Sequence, residues 1–294
     1  MIIASLAIDW GSTNRRIFAL DADGMVLATA RDDLGILAMA GRDFAAEVAV
    51  LRGRFGDVPV LCAGMVGSNR GWVDAGYVPV AADLAGLAAA LRWVEPGRTA
   101  IIPGVSRPGD RPDVMRGEEV QFLGAVAAGL VPPDGLLCQP GTHVKWATMA
   151  GGTLADFTTA VVGELFGLLG RGSLLADGLD LPAIDGPAFR AGVERGRDGD
   201  LLAALFGARA TLVLGQRERA DQASYVSGLL IGSDAARRVT AGTLVHVLAD
   251  PGLGGLYLAA LDALGAHGVL VDSHAAFVAG INAIRAAITP AGAA

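Results

Sequence analysis

The chain has 294 residues, of which 52% are hydrophobic and 18% are charged, so it can bury one large core or two medium-sized ones. Its formal net charge of −7 argues against nucleic acid or an anionic membrane as a partner, because both need clustered Lys and Arg. The N-terminal ten residues lack the basic region and cleavage site of a signal peptide, so a cytoplasmic location is expected. Cys62 and Cys138 stand in apolar runs and are predicted to be buried, unpaired thiols.

The beginning of the chain predicts an antiparallel meander. Three apolar segments, 2–8, 16–20 and 25–30, are joined by DWGSTN and by DADG, the second of which is a strong hairpin turn. Helical periodicity follows in RDFAAEVAVLRGRF and ADLAGLAAALRWV, and the apolar strands VPVLCAG and RTAIIPGV come after these helices. This alternation predicts a layered α/β domain.

The same order of elements then nearly repeats. The segment SRPGDRPD, residues 106–113, is predicted to be a surface loop at a domain boundary, which gives domains 1–112 and 113–294. A helical run EEVQFLGAVAAGL and a second strand-turn-strand unit, QPGTHVKWATMAGGTLADFTT, follow it. In this comparison residues 11–13 match residues 141–143, and the turn glycine Gly24 matches Gly152. The last helix is expected at about 273–288. The prediction includes the case in which this helix packs on the first domain.

The first hairpin turn carries an unusual set of groups. Backbone N–H groups and hydroxyls in a tight turn at Gly11, Ser12, Thr13 and Asn14 form a donor site that suits phosphate oxygens. Asp9 beside that turn would repel phosphate unless a cation stood between them, so it is expected to hold Mg²⁺ by orienting the waters bound to the ion. The alternative is that Asp9 only caps its own turn. The second hairpin favours the phosphate interpretation.

Several motifs occur in an order that resembles the 2-dehydro-3-deoxygalactonokinase family, sugar-acid kinases of the actin-like ATPase superfamily. They are LAIDWGSTN, GMVGSNRGW, DVMRGEEVQ, PGTHVKW, GELFGLL and SGLLIG, and together they cover nearly the whole chain. The resemblance implies two ribonuclease-H-like α/β domains with a cleft between them, and ATP with Mg²⁺ as cofactors. It also implies ATP contacts from two phosphate loops and a glycine-rich adenosine region: Gly11, Ser12, Thr13, Asn14, Gly141, Thr142, His143, Lys145, Gly252 and Gly254.

A kinase of this kind needs a base for the acceptor hydroxyl, and Glu118 and Glu119 are the candidates. In related sugar kinases a carboxylate at the start of a helix, some twenty residues before the second phosphate loop, is the base, and Glu118 matches that place best. The positive end of a helix favours its ionised form. The alternative for both glutamates is that they only stabilise the helix start.

A sugar acid carries a carboxylate, which calls for a cation in the substrate site. The candidate substrate residues are Arg16, Ser68, Asn69, Arg70, Trp72 and Arg116. Trp72 could instead belong to the core or its rim. Strand alternation lets only one of Lys145 and Trp146 face the cleft, and a phosphate contact from Lys145 would turn Trp146 to the core.

The sequence therefore predicts ATP-dependent phosphorylation of 2-dehydro-3-deoxy-D-galactonate on its terminal hydroxyl, as the resemblance implies. A kinase for another sugar acid or a hexose is one alternative, and a non-catalytic ATP-binding protein of the same fold is another. The expected partners are the sugar acid and ATP, without nucleic acid or membrane, and a homodimer is included among the expected assemblies.

Overall fold

The computed structural model describes residues 2–288, and the chain forms two compact units. Unit 1 comprises the chain up to Asp134, the segment Thr148–Phe157 and the last helix from Ser273. Unit 2 comprises Gly135–Ala147 and Thr158–Asp272. The predicted boundary after residue 112 divides the chain differently, because residues 113–134 belong to unit 1. The last helix, which the prediction allowed to pack on the first domain, is also part of unit 1.

Unit 1 is built on a six-stranded sheet. The strands up to residue 115 are β1 (Ser5–Trp10), β2 (Arg15–Leu20), β3 (Val26–Asp32), β4 (Val60–Ala63), β5 (Tyr77–Pro79), β6 (Arg92–Glu95), β7 (Thr99–Ile101), β8 (Gly104–Arg107) and β9 (Asp113–Met115). The sheet has the order β3-β2-β1-β4-β7-β6, and β5-β8-β9 form a separate small sheet. β1, β2 and β3 pair antiparallel, which confirms the predicted meander, whereas β4 pairs parallel with both β1 and β7.

The helices of both units complete the layers. They are α1 (Phe44–Phe55), α2 (Leu84–Ala89), α3 (Glu118–Ala127), α4 (Val162–Gly172), α5 (Pro187–Arg197), α6 (Leu201–Val213), α7 (Gln222–Ala235), α8 (Pro251–Ala263) and α9 (Ser273–Ile288). Short 3-10 helices lie at Ile36–Met39, Met65–Gly67 and Arg219–Asp221. The bounds of α9 agree with the predicted last helix.

Helix α1 packs on one face of the first sheet and α9 on the other, and the site lies on the α9 face. Ile8 and Trp10 of β1 share a core with Val48 and Leu51 of α1. Phe18 of β2 lies on the other face, where its ring centroid is 5.7 Å from that of Phe277 in α9. Side chains alternate along a strand, so Asp9, between Ile8 and Trp10, belongs to this second face. Arg16 is its direct partner in the antiparallel register.

Unit 2 contains most of a five-stranded sheet. Its strands are β10 (Gly135–Gln139), β11 (Val144–Ala150), β12 (Thr153–Ala160), β13 (Leu244–Leu248) and β14 (His267–Val271), in the order β12-β11-β10-β13-β14. β11 and β12 have residues in both units. The order repeats that of β3-β2-β1-β4-β7, and the matched turn glycines Gly24 and Gly152 both have positive φ, 81° and 80°. The internal repeat predicted from the sequence is therefore present in the strand order and in the turns.

The motif SGLLIG lies within α7 and has a packing role. A Cβ on Gly228 or Gly232 would collide with the backbone of α5, at Phe189 and Val193. Gly192 of α5 approaches the backbone of α7 in the same way. The absence of side chains at these positions lets two helices cross at backbone distance, and this crossing contributes to the core of unit 2.

The loop 106–113 does not link two domains. Strands β8 and β9 pair antiparallel with Val105 opposite Met115, so the polar loop is the tip of a hairpin inside unit 1. Its prolines, glycine and charges are the composition of an exposed turn, and that composition is shared by hairpin tips and domain linkers.

Candidate active site

The first phosphate-loop candidate, loop 1 (residues 11–14), is held by the segment that follows the meander. Gly11 N donates to Asn14 O at 3.0 Å and closes the turn. The N–H groups of Ile36 and Leu37 donate to Gly11 O and Ser12 O at 3.0 and 3.1 Å. A Cβ on Gly35 would collide with the backbone of Ser12 and Thr13. Loop 1 is thus fixed from behind by backbone contacts, and the side chains of Ser12 and Thr13 remain exposed.

The second candidate, loop 2 (residues 141–143), is held in the same way by α4. Glu164 N donates to Thr142 O at 2.9 Å, and a Cβ on Gly163 would collide with Gly141 O. His143 lies in this loop and its Nε2 is 2.8 Å from Glu164 Oε2, so its ring is engaged with α4. The glycine that opens the GELFGLL motif is therefore required by loop 2.

Loop 1 borders a cavity of about 160 Å³ that has two arginines in its wall. Arg16 and Arg31 are direct partners across β2 and β3, and like charges in that position repel each other unless an anion lies between or beside them. Arg31 also donates to Asn14 Oδ1, at 3.1 Å from Nε and 2.8 Å from Nη2. Arg31 was not among the predicted site residues, although the antiparallel register of the predicted meander places it opposite Arg16.

Asp9 lines the same cavity and is partly buried. Burial raises the pKa of its carboxyl to about 6, while the Arg16 charge lowers the pKa and the Glu118 charge raises it. The described part of the chain has no group of three or more His, Cys, Asp or Glu side chains that could hold a metal ion. Mg²⁺ commonly binds proteins through one or two carboxylates and otherwise takes waters and phosphate oxygens, so Asp9 fits an ion that arrives with a nucleotide.

The two glutamates at the start of α3 have different surroundings. Glu119 has no exposed surface, and both of its carboxyl oxygens accept from Gly117 N, at 2.8 and 2.7 Å. Glu118 is partly exposed, its Oε2 accepts from Arg116 N at 3.1 Å, and its charge acts on Asp9. Since a base must reach the acceptor hydroxyl, Glu118 has the accessible carboxylate of the pair. Glu119 instead holds the turn at Gly117, which has a φ of 107°.

Arg116 is nearly buried and incompletely satisfied. Its guanidinium lies 4.4 Å from the Tyr77 ring centroid, and Nη2 donates to Gly76 O at 3.0 Å and lies 3.9 Å from Asp74. Nε and Nη1 are buried without a hydrogen-bond partner. Buried donors that lack an acceptor cost about 1–3 kcal/mol each, so these two nitrogens favour a bound anion.

Unit 2 has its own larger cavity, of about 530 Å³, next to loop 2. Gly141 and Thr142 lie at one side of it, and Val162, Phe166, Leu230, Ile231, Leu253, Leu256 and Tyr257 make most of its wall apolar. Gly252 in the first turn of α8 lines the cavity with open space around its Cα. Gly254 is not among the residues that line it, and a Cβ there would collide with Leu270 of β14. Gly254 thus has a packing role against the sheet, and its nucleotide contact stays a prediction.

The remaining predicted substrate residues lie outside the lining of the loop 1 cavity. Ser68 Oγ donates to Met65 O at 2.7 Å and accepts from Arg70 N at 3.2 Å, so it stabilises its own turn. Asn69 and Arg70 are exposed on that turn and do not line the loop 1 cavity. Trp72 stacks on Phe44, with ring centroids 6.1 Å apart and planes 9° apart, which supports the packing alternative.

Lys145 and Trp146 are both buried, with exposures of 4% and 3%. Trp146 is part of the unit 2 core and its Nε1 donates to Asp234 Oδ2 at 2.7 Å. Its predicted place in the core is confirmed. Lys145 lies on the opposite face of β11 and does not line the 530 Å³ cavity.

Glu119 should make the free energy of unfolding fall as the pH rises. Burial and the Glu118 charge raise the pKa of Glu119 from 4.5 to about 8, so the folded chain keeps a proton that the unfolded chain releases. The free energy of unfolding therefore falls between about pH 4.5 and 8, by up to ~1.4 kcal/mol per pH unit from this group. We expect Glu119→Gln to remove this slope, because the amide oxygen still accepts from Gly117 N. Urea unfolding at several pH values measures this pH dependence, and Glu194→Gln, at an exposed glutamate, is the control. Parallel plots of unfolding free energy against pH for Glu119→Gln and the wild type would contradict the prediction.

The fold has solved counterparts. A crystal structure from Sinorhizobium meliloti, of a protein named for 2-dehydro-3-deoxygalactonokinase, matches with a TM-score of 0.89 and 33% identity, covering 97% of this chain and 99% of that chain. The activator of 2-hydroxyisocaproyl-CoA dehydratase from Clostridium difficile, solved with bound ADPNP, matches with a TM-score of 0.52 and 12% identity over 96% of this chain and 95% of that chain. The chain thus has the mixed α/β architecture of the actin-like ATPases.

The sequence comparisons define the class of protein, which is a kinase. The model of the 2-keto-3-deoxy-galactonokinase family matches residues 9–284. The Escherichia coli protein named 2-dehydro-3-deoxygalactonokinase is 37% identical, covering 96% of this chain and 98% of that relative. A Rhizobium meliloti relative named "Probable 2-dehydro-3-deoxygalactonokinase" is 36% identical, with 97% of each chain covered. The chain belongs to the 2-keto-3-deoxy-galactonokinase family.

Within residues 2–288, none of the helices combines the length and the apolar character that crossing a bilayer requires.

Proposed function

We propose that this chain transfers the γ-phosphoryl group of ATP to the terminal 6-hydroxyl of 2-dehydro-3-deoxy-D-galactonate, in galactonate catabolism. The observation that carries the proposal is the grouping of a carboxylate, a donor turn, two arginines and an accessible glutamate in unit 1, in a chain of this kinase family. The names of the E. coli and R. meliloti relatives, 2-dehydro-3-deoxygalactonokinase and probable 2-dehydro-3-deoxygalactonokinase, support this substrate.

Phosphoryl transfer depends mainly on positioning and on neutralising charge. The N–H groups and hydroxyls of loop 1, together with Arg16 and Arg31, supply positive charge and hydrogen bonds for phosphate oxygens. Glu118 takes the proton of the 6-hydroxyl while the oxygen of that hydroxyl forms the new bond to the γ-phosphorus. At the same time the bond between the γ-phosphorus and the bridging oxygen breaks, and that oxygen leaves with ADP. Mg²⁺, which Asp9 would hold, supplies charge neutralisation for the phosphates.

The nucleoside is assigned to unit 2. The apolar cavity of about 530 Å³ next to Gly141 and Thr142 has the size and lining of a small-molecule site. Gly252 leaves room at its rim, and the first turn of α8 has backbone N–H groups that lack helical acceptors. We assign the adenosine to this cavity and the adjacent phosphates to loop 2.

Between the two arginine candidates, we assign the substrate carboxylate to Arg116. Arg16 stands opposite Asp9 and Arg31 in the loop 1 cavity, which suits phosphate. Arg116 has two buried nitrogens that need an acceptor, and its backbone N donates to Glu118, the proposed base. A carboxylate held there would place the sugar acid near the base.

Arg116→Met is expected to raise the KM for the sugar acid by roughly a hundredfold, since a charge-assisted pair is lost, while the KM for ATP changes little. The matched control is Arg111→Met, because Arg111 is exposed in the hairpin tip of unit 1. The informative comparison is between the sugar acid and a neutral sugar of the same carbon skeleton. If Arg116→Met keeps the wild-type preference for the sugar acid over the neutral sugar, another residue must bind the substrate carboxylate.

A coupled assay of ADP release tests the function itself. We expect turnover with 2-dehydro-3-deoxy-D-galactonate to exceed turnover with other sugar acids and with hexoses, and mass spectrometry of the product to locate the phosphate on the 6-oxygen. Faster turnover on another sugar would change the substrate assignment. ATP binding without turnover on any of these compounds would favour a non-catalytic protein. The cytoplasmic location and the homodimer stay predictions.

A further inference from the structure

Helix α6 is apolar on every side, although it packs on one side only. Its sequence is LLAALFGARATLV, with Arg209 as its one charged residue. Ala204, Leu205 and Ala208 are buried and share a core cluster with Val226 and Leu229 of α7. Apolar residues around the whole circumference are typical of a helix that is covered on all sides. Unit 2 covers only the side toward α7.

The opposite side, here called the α6 face, is open and uncharged. It consists of Leu202, Ala203, Phe206, Gly207, Ala210, Val213 and Leu214. Four large side chains in it are 82%, 66%, 64% and 67% exposed, for Leu202, Phe206, Val213 and Leu214 respectively. At 100° per residue these seven positions fall on one side of the helix, away from the buried residues. Arg209 lies at the border, where its Nη1 is 4.0 Å from Asp177.

The α6 face carries large and small side chains in turn. Leu202, Phe206 and the pair Val213 and Leu214 are separated by the small residues Ala203, Gly207 and Ala210. A Cβ built on Gly207 has nothing within 4 Å, so no neighbouring group covers the face at this position. If two copies lay antiparallel across a two-fold axis, Phe206 of each could pack on the small residues of the other, as an isologous interface requires.

Charge and area favour a second copy as the occupant. The chain has a net charge of −7, so two copies repel each other at most orientations, and an uncharged face is where that repulsion is weakest. The four large side chains expose on the order of 500 Å² of apolar surface, which is within the range of functional patches on monomers. Two copies would bury about 1,000 Å² from these residues alone, the size at which specific interfaces begin.

We propose that the chain forms a two-fold homodimer through the α6 face. Sedimentation equilibrium of the full chain should give twice the chain mass of 29.8 kDa at micromolar concentration. Phe206→Glu and Leu202→Glu, which place charge in the face, should each give a monomer with an unchanged circular dichroism spectrum. Val50→Glu is the control, because Val50 is 66% exposed on α1 in unit 1.

A cysteine at the centre of the face tests the geometry. Ala210→Cys should form a covalent dimer under mild oxidation, because Ala210 lies midway across the face, where the two-fold axis would pass, and the native thiols Cys62 and Cys138 are buried. The proposal would be overturned if the wild-type chain stayed monomeric up to about 100 micromolar. A dimer that persists in both glutamate variants, or a polydisperse series of aggregates, would overturn it as well. None of these readouts depends on kinase activity.

Discussion

Asp9→Asn is expected to lower turnover by roughly a hundredfold to a thousandfold, because it removes the carboxylate that would hold Mg²⁺ beside the phosphates of loop 1. The amide keeps the shape of the side chain and can still face the same cavity, so the fold should be intact. Steady-state kinetics at saturating ATP and sugar acid measure the loss. Asp23→Asn, an exposed residue of the DADG turn, is the control.

The same variant should be more stable than the wild type near neutral pH. Burial raises the Asp9 pKa from 3.8 to about 6, so the folded chain holds this proton more tightly than the unfolded chain. Ionisation therefore reduces the free energy of unfolding as the pH rises from about 4 to 6, by on the order of 2 kcal/mol in total. Asparagine has no such loss. A variant that is both active and no more stable than the wild type would remove Asp9 from the proposed site.

Glu118→Gln should lower turnover by roughly a hundredfold or more while the KM for ATP changes little, as expected when a general base is removed. The partly exposed carboxylate near Asp9 is lost, whereas Glu119 still accepts from Gly117 N. The rate of single-turnover ADP formation separates this chemical step from product release.

Glu119→Gln is the matched comparison, since it makes the same chemical change one residue away at a buried position. We expect it to retain most of the activity and to alter mainly the pH dependence of stability. If Glu119→Gln loses activity and Glu118→Gln keeps it, the two roles are exchanged. Equal losses in both variants would show that the geometry of the helix start, rather than one base, determines the rate.

The sequence was sufficient for features that depend on local patterns. Strand alternation and turn residues predicted both meanders, and the expected last helix, at about 273–288, agrees with α9. The domain boundary was harder, because Pro, Gly and charge look the same in a hairpin tip as in a linker. Gly254 and Gly252 illustrate a similar limit: two residues apart on one helix, they face β14 and the cavity respectively, and composition does not distinguish them.

Pairing between distant strands and burial of individual side chains determined the rest of the site. Arg31 joins Arg16 only through the register of β2 and β3. Glu118 and Glu119 are adjacent in the sequence and equally suited to a helix start, yet Gly117 turns one carboxylate into the interior. Arg116 is a candidate anion-binding residue because two of its buried nitrogens lack a hydrogen-bond partner. The spacing of residues in the sequence does not predict this.

Gly35 and Gly163 stand about twenty residues beyond the loops they support, and each touches its loop through backbone alone. A phosphate loop in this chain is therefore not a portable motif: the smallest transferable module would be the hairpin together with the segment that carries its glycine. A chimera that exchanges only residues 11–14 or 141–143 would keep the donors and lose their support. Ancestral duplication of such a module, with its glycine included, would account for two loops that are held in the same way.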